Sequence, residues 1–218
     1  MHHDAFAILD ALKSKLDAHR PLAPELVRNL REDMVLKYTY HSNAIEGNTL
    51  TLMETKVVLE EGLTIGGKPL RHHLEAINHA DAITYLEGLV QENVPLDERI
   101  LKELHQLVLR GIDSEAGRYR GCNVIISGAG HTPPDHLHVG ERMLRFFDWY
   151  RGEGRSLHPV ERAARVHADL VIIHPFRDGN GRPSRLVMNL ELMRAGFPTV
   201  IIPVEARAAY YENLDTAG

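Results

Sequence analysis

Between His174 and Arg185 the chain reads HPFRDGNGRPSR, an order of residue types that can hold a polyphosphate beside a base. An apolar run closes at Ile173, and a new helix must start near Arg182, because Pro183 lacks an N–H and is tolerated only in a first turn. N–H groups left free at such a start, approached through Gly179 and Gly181 without a Cβ in the way, make an anion site suited to phosphate. Arg182 and Arg185 lie three positions apart, so both guanidinium groups are expected to project from one face toward the same anion. Asp178 offers a hard oxygen for magnesium, an ion that often takes one or two protein carboxylates beside phosphate oxygens and water. His174 stands one short loop away, where it can take a proton from an attacking hydroxyl at neutral pH. A DGNG turn or a His-Pro at a helix end is ordinary structure when met alone. The ordered set of base, metal ligand, glycine-lined hole and paired arginines is what points to a nucleoside triphosphate with magnesium.

The elements that must position these groups read as helices. Apolar residues recur at helical spacing along nearly the whole chain, as in Leu26, Val27, Leu30, Met34, Val35 and Tyr38 after Pro24, a residue suited to a first turn. Helices are expected at Asp4 to His19 and at Pro24 to about Glu46, the second stopping at Gly47. Thr51 and Glu54 form a capping box for a helix to about Glu61. Further helices are expected at His72 to Gln91, Asp97 to Arg110, His136 to Arg151 and Pro159 to Ile173, with two more after the motif. The exception is Arg118 to Ser127, where Val124, Ile125 and Ile126 run into Gly128-Ala129-Gly130, the pattern of a small β-hairpin. Such a hairpin either closes a core or offers an edge on which an extended peptide pairs. The fold class is therefore mainly α, a helical bundle with a small hairpin, and no repeat or linker divides it.

Composition removes several alternatives. Hydrophobic residues at 44% and charged ones at 25% describe a globular chain with a core. A net charge of -5 gives no general attraction to nucleic acid or to an anionic membrane. Cys122 is the single cysteine, so neither an internal disulfide nor a cysteine-built zinc site is expected, and a reducing compartment follows. Apolar runs such as Leu170 to Ile173 are too short to span a bilayer. With no secretory pattern at the start, the cytoplasm is the expected location. Among 14 histidines, His72, His73, His131, His136 and His138 lack the i, i+4 pairing with a carboxylate that marks a zincin, and they read as solvated. His167 is expected to pack behind the site, on the same helical face as His174. Gly66-Gly67-Lys68 lacks the spacing of a P-loop.

Ser42 and Glu46, four apart in HSNAIEGNTL, share one face of a helix that ends at once. A carboxylate in a last turn meets the negative end of the helix dipole and is mildly destabilising unless a cation compensates it. On spacing alone Glu46 reads as an exposed glutamate before a glycine cap.

HPFRDGNGRPSR matches without departure the signature HxFx(D/E)GNGRxxR of the Fic family, and GRYRGCNVIIS followed by TPP is similar to that family's flap. The resemblance implies a Fic fold and AMP transfer. ATP would be cleaved between its α- and β-phosphates, AMP would pass to a Tyr, Thr or Ser hydroxyl of a target protein, and pyrophosphate would leave. By the same resemblance His174 is the general base, Phe176 anchors the loop in the core, and Asp178 holds Mg2+. Gly179, Asn180 and Gly181 form the anion hole, and Arg182 and Arg185 take the outer phosphates. Val124, Ile125 and Ile126 would align the target. Tyr211, with Tyr210, would border the base, although a helical aromatic pair is often plain packing. Asn189 stands at the family's usual place but reads equally as a residue satisfying a neighbouring backbone group. The related Doc branch, which transfers phosphate, carries a bulkier residue at Gly179, so the likeness favours AMP.

SNAIEG further resembles the family's inhibitory motif (S/T)xxxE(G/N). The likeness implies an inhibitory helix bearing Ser42 and Glu46, with Glu46 bridged to Arg185. It also implies N-terminal helices over 1–61 packed on a Fic domain over 62–218 that lacks its last helix. A target protein is implied, with the chain itself as one candidate, and a homodimer is compatible with the class. Removal of AMP, transfer of another nucleotide or phosphate group, and a nucleotide-binding regulatory module of toxin–antitoxin type stay open as alternatives.

Overall fold

The structure, a computed structural model, describes residues 2–126 and 130–217. In chain order its α-helices are α1 (His2–Asp17), α2 (Pro24–Ile45), α3 (Leu52–Glu61), α4 (Leu70–Gln91), α5 (Glu98–Val108), α6 (Val139–Arg151), α7 (Pro159–Ile173), α8 (Gly181–Arg194) and α9 (Arg207–Ala217). Local chemistry accounts for most of their ends. Pro24 opens α2 in its first turn, and the chain leaves that helix through Glu46 and Gly47, the glycine at φ +93, a conformation that disfavours any Cβ. The capping box of α3 is complete: Thr51 Oγ1 accepts from the Glu54 N–H at 3.2 Å, and the Glu54 carboxylate accepts from the Thr51 N–H at 2.7 Å. Asp97 caps α5 by accepting from the Ile100 N–H at 2.8 Å. The helix expected from His136 is split, because Asp135 caps a single 3-10 turn, His136–His138, and α6 follows it.

Helix α8 is the axis of the bundle. Every residue from Arg182 to Leu192 is buried, because α7 pairs closely with it while α2, α4 and α5 cover its other sides. One core joins Tyr38 of α2 to Ile83 and Leu86 of α4, Leu101 and Leu104 of α5, Phe146 of α6, Val166 of α7 and Leu186 of α8. A helix enclosed on all sides must find a partner for each polar residue it carries. Glu191 takes Arg162 at 2.8 Å and the Tyr150 hydroxyl at 2.7 Å. Asn189 donates to the Val200 carbonyl and accepts from the Val200 N–H, the structural role its sequence context allowed. The buried arginines of α8 reach α2 and α4, and so build the site.

Two expectations need correction. His73 and His131 are not solvated. His73 accepts from the Ile65 N–H through Nε2 at 2.8 Å, tying the connection before α4 to that helix, and His131 is largely covered beside Asp215. A histidine offers an apolar face with two polar atoms, so it can staple a loop as readily as it can face water. Over Arg118 to Ile126 the chain is bends and irregular backbone, with no strand pairing among the described residues. Of its expected turn, Gly128-Ala129-Gly130, the first two residues lie outside those described, as does Ser127 before them. The buried Arg120 organises this segment instead, donating to the carbonyls of Cys122 and Pro134.

Candidate active site

The loop between α7 and α8 is clamped from several directions. Asn180 accepts from the Phe176 N–H at 2.9 Å and donates to the Phe176 carbonyl at 2.8 Å, so its side chain closes the loop upon itself and leaves the start of α8 facing outward. Phe176 is buried and stacks on His105 of α5, with ring centroids 3.7 Å apart. The Gly117 N–H donates to His105 Nδ1 at 2.8 Å, so the imidazole proton sits on Nε2, which donates to the Asp178 carbonyl at 2.8 Å. Burial, above all, lowers the His105 pKa and keeps this brace neutral. Gly179 has φ +71, and a Cβ there would stand 2.9 Å from Leu109 Cδ1. Backbone and neighbour both demand glycine at that position.

His174 terminates α7 in the left-handed region, φ 49 and ψ 59, uncommon for a residue with a side chain. Arg120 fixes that turn: its Nε donates to the His174 carbonyl at 2.8 Å, and its backbone N–H donates to the Pro175 carbonyl at 2.9 Å. His174 Nδ1 lies 3.3 Å from the Val171 carbonyl. A carbonyl only accepts, so Nδ1 carries the proton and Nε2 keeps its lone pair. Burial, reinforced by the charge of Arg120, brings the His174 pKa down to about 4. At neutral pH the ring is therefore uncharged, with Nε2 unprotonated.

A cavity of about 670 Å³ opens here, and His174, Asn180, Gly181, Arg185, Ile126 and Tyr211 all line it together with Glu46. Arg185 is 1% exposed. It donates through NH2 to Glu46 Oε1 at 2.7 Å and to the Ser42 carbonyl at 2.8 Å, and through Nε to Ser42 Oγ at 3.0 Å. A Cβ on Gly181 would overlap Glu46 Oε1. The carboxylate therefore sits against the N-terminus of α8, in the seat that helix offers an anion, and the cation that offsets its place at the end of α2 is Arg185. Tyr210, rather than Tyr211, touches Arg185: its hydroxyl lies 3.3 Å from NH1 and 2.9 Å from His167 Nε2. Burial first, then the charge of Arg185, lowers the His167 pKa to about 3, so that ring is a neutral partner behind the cavity. Tyr211 borders the cavity and leans on the Ile45 carbonyl at 3.4 Å.

Arg182 and Asp178 are not among the residues that line this cavity, whereas Arg185 is. Arg182 reaches both α4 and α2, its Nη1 lying 3.3 Å from Glu75 Oε1 of α4 and 3.4 Å from Asn43 Oδ1 of α2. Two arginines three apart on an exposed helix can converge, but on an enclosed one each must pair with whichever neighbour covers it. Asp178 lies at the loop's outer edge, half-exposed, with Oδ2 bonded to Arg71 at 2.9 Å and Oδ1 accepting the Gly179 N–H at 2.7 Å. Burial acts to raise its pKa, yet Arg71 and the Gly179 N–H outweigh it and hold the carboxyl below its ordinary value. Of the flap residues, Ile126 faces the cavity, while Ile125 is 89% exposed. His105, Arg71, Glu75 and Arg120 also hold this site together and were not among the expected residues. Only His105 carried a usable signal, a histidine within the apolar stripe Leu101, Leu104, Val108 of an amphipathic helix.

Residues 95–192 match the Fic/DOC family. The chain is 40% identical to a protein adenylyltransferase Fic of Drosophila willistoni over 97% of its own length and 42% of that protein's. It is 42% identical to the protein adenylyltransferase fic-1 of Caenorhabditis elegans over 91% of this chain and 39% of the other. It thus spans about two fifths of the length of the curated relatives it matches. Among solved structures, a Fic domain containing signaling protein from Bacteroides thetaiotaomicron superposes with a TM-score of 0.87 at 32% identity, covering 94% of this chain and 79% of that one. Fic-1 from C. elegans superposes with a TM-score of 0.86 at 38% identity, covering 99% of this chain and 64% of that one. Among the described residues no helix is long and apolar enough to cross a membrane.

Proposed function

The chain belongs to the Fic/DOC family, and from that premise we propose that it is a protein adenylyltransferase that its own Glu46 holds inactive. One observation carries the reading: the free Nε2 of His174, the start of α8 and the Arg185 guanidinium meet in one cavity, and Glu46 occupies the anion seat there. The curated relatives, whose names state this activity, support it.

In the proposed reaction the α8 N-terminus and a released Arg185 hold the phosphates of ATP. His174 Nε2 takes the proton of a target hydroxyl. That oxygen attacks the α-phosphorus, the bond from the α-phosphorus to the oxygen bridging the β-phosphate breaks, and pyrophosphate leaves with its electron pair. Asn180, His105 and Arg120 act through backbone geometry by keeping the loop rigid. Ile126 and the exposed Ile125 mark the edge along which an extended target segment would lie.

Asp178 suits magnesium as an ionised, half-exposed carboxylate. No group of three or more candidate ligands occurs among the described residues, so the ion would complete its shell with phosphate oxygens and water. When bound, it would neutralise charge on the phosphates. With Glu46 in place a γ-phosphate would meet a carboxylate instead of Arg185, and in-line geometry would be lost.

The test is labelling by ATP radioactive at the α-phosphate. Glu46→Gly should label protein, this chain included, by the mass of AMP, and Glu46→Gly with His174→Ala should not. Label from the γ-phosphate, or none across several candidate targets, overturns the reading.

A further inference from the structure

We propose that Arg71 is a resident cation at the metal edge of this site, one that neutralises Asp178 until a divalent ion displaces it and so weakens the chain's hold on that ion. The inference rests on the assignment of Asp178 to magnesium made above.

Arg71, in the first turn of α4, reaches Asp178 across 107 positions of sequence: NH2 donates to Oδ2 at 2.9 Å. Its Nε donates to Glu75 Oε1, also at 2.9 Å. The remaining oxygen of Asp178 accepts the Gly179 N–H, so the oxygen a metal would most readily approach is the one Arg71 covers. A guanidinium and a divalent ion cannot share it without like charges in contact.

Glu75 makes the displacement feasible. It is 5% exposed and held by Asn48, whose Nδ2 donates to Oε2 at 2.9 Å, and by Arg182. Arg71 can therefore swing on its Nε bond into solvent, being half-exposed itself, without leaving a buried charge unpaired. The charge balance agrees. Arg71 and Arg182 face Glu75 and Asp178, two charges of each sign, so a divalent ion added with Arg71 in place leaves the cluster strongly positive. Withdrawing Arg71 relieves that excess.

Calorimetric titration of ADP, without Mg2+ and with Mg2+ at saturation, reads the linkage directly. Glu46→Gly is the common background, so that the anion seat is open. Adding Arg71→Ala should tighten ADP about two- to five-fold in the presence of Mg2+, the range for releasing a half-exposed ion pair, and leave the metal-free affinity unchanged. Adding Asp178→Asn should remove the Mg2+ enhancement and, with it, the effect of Arg71→Ala. If Asp178→Asn abolishes the enhancement while Arg71→Ala leaves it unaltered, the proposal falls and the metal assignment stands. A loss confined to metal-free affinity would make Arg71 a phosphate ligand and overturn the proposal. An enhancement that survives Asp178→Asn overturns the metal assignment itself. Arg71 is exposed enough for the alanine variant to fold, and an unchanged melting temperature checks this.

Discussion

The Glu46 carboxylate reaches the Arg185 guanidinium at 2.7 Å while lying directly against Gly181, the first residue of α8. A single side chain thus occupies both the cation and the helix terminus that a polyphosphate would need. Gly181→Ala separates the two effects. Its new Cβ would push the end of Glu46 away, a flexible group, but would also crowd Arg185 NH1, 3.0 Å distant. ADP affinity should therefore gain less from Gly181→Ala than from Glu46→Gly, and calorimetry of the two variants checks the order.

Gly179→Ala should destabilise the chain by about 1–3 kcal/mol, because it adds a Cβ at φ +71 and drives it against Leu109. Thermal unfolding should fall by roughly 2–4 °C per kcal/mol at this size. A melting temperature equal to that of the parent would show that Leu109 and the loop yield freely.

His105→Phe keeps an aromatic ring on Phe176 but deletes both hydrogen bonds that brace the loop, to the Asp178 carbonyl and from the Gly117 N–H. Each buried group left unmatched costs about 1–3 kcal/mol. In the Glu46→Gly background AMP labelling should fall more steeply than stability, since the brace sets the position of the α8 start. Labelling retained in full would reduce His105 to a packing residue.

The histidines set a pH dependence of stability. His174 and His167 are held to about 4 and 3, and His79 well below its ordinary value, in each case chiefly by burial. The unfolded chain therefore binds more protons than the folded one below about pH 6.5. Stability should rise as pH climbs from about 4 to 6.5 and then level off. Denaturant titrations at several pH values check this, and His174→Ala should flatten the slope. AMP labelling by Glu46→Gly should vary little between about pH 6 and 8, because the base is already neutral there. A rise centred near 6.5 would mean that His174 titrates as a free imidazole.

Helix boundaries were legible because their signals are local. Pro24, the Thr51–Glu54 box and Gly47 each dictate backbone geometry within a turn of where they stand. His174, Gly179 and Asn180 were legible for a related reason: one short loop carries them, and a loop between two helices has little freedom in where it puts its residues. The partners of Arg182 were not legible, because spacing on a helix says which side a residue leaves from and not what waits there.

The sequence by itself determined a helical chain with a base, a glycine-lined helix start and an arginine in one loop, since backbone propensity and short-range spacing suffice for that. Apart from the Glu46–Arg185 pair, which the resemblance of SNAIEG implied, the tertiary structure decided which charge meets which. Enclosure of α8 sent Arg182 to Glu75, and sent Arg185 to Glu46 across 139 positions of the chain, and packing brought Arg71 onto Asp178. The physical reason is burial: a charge removed from water must pair with the nearest opposite group in space, and nearness in space is set by how the helices pack.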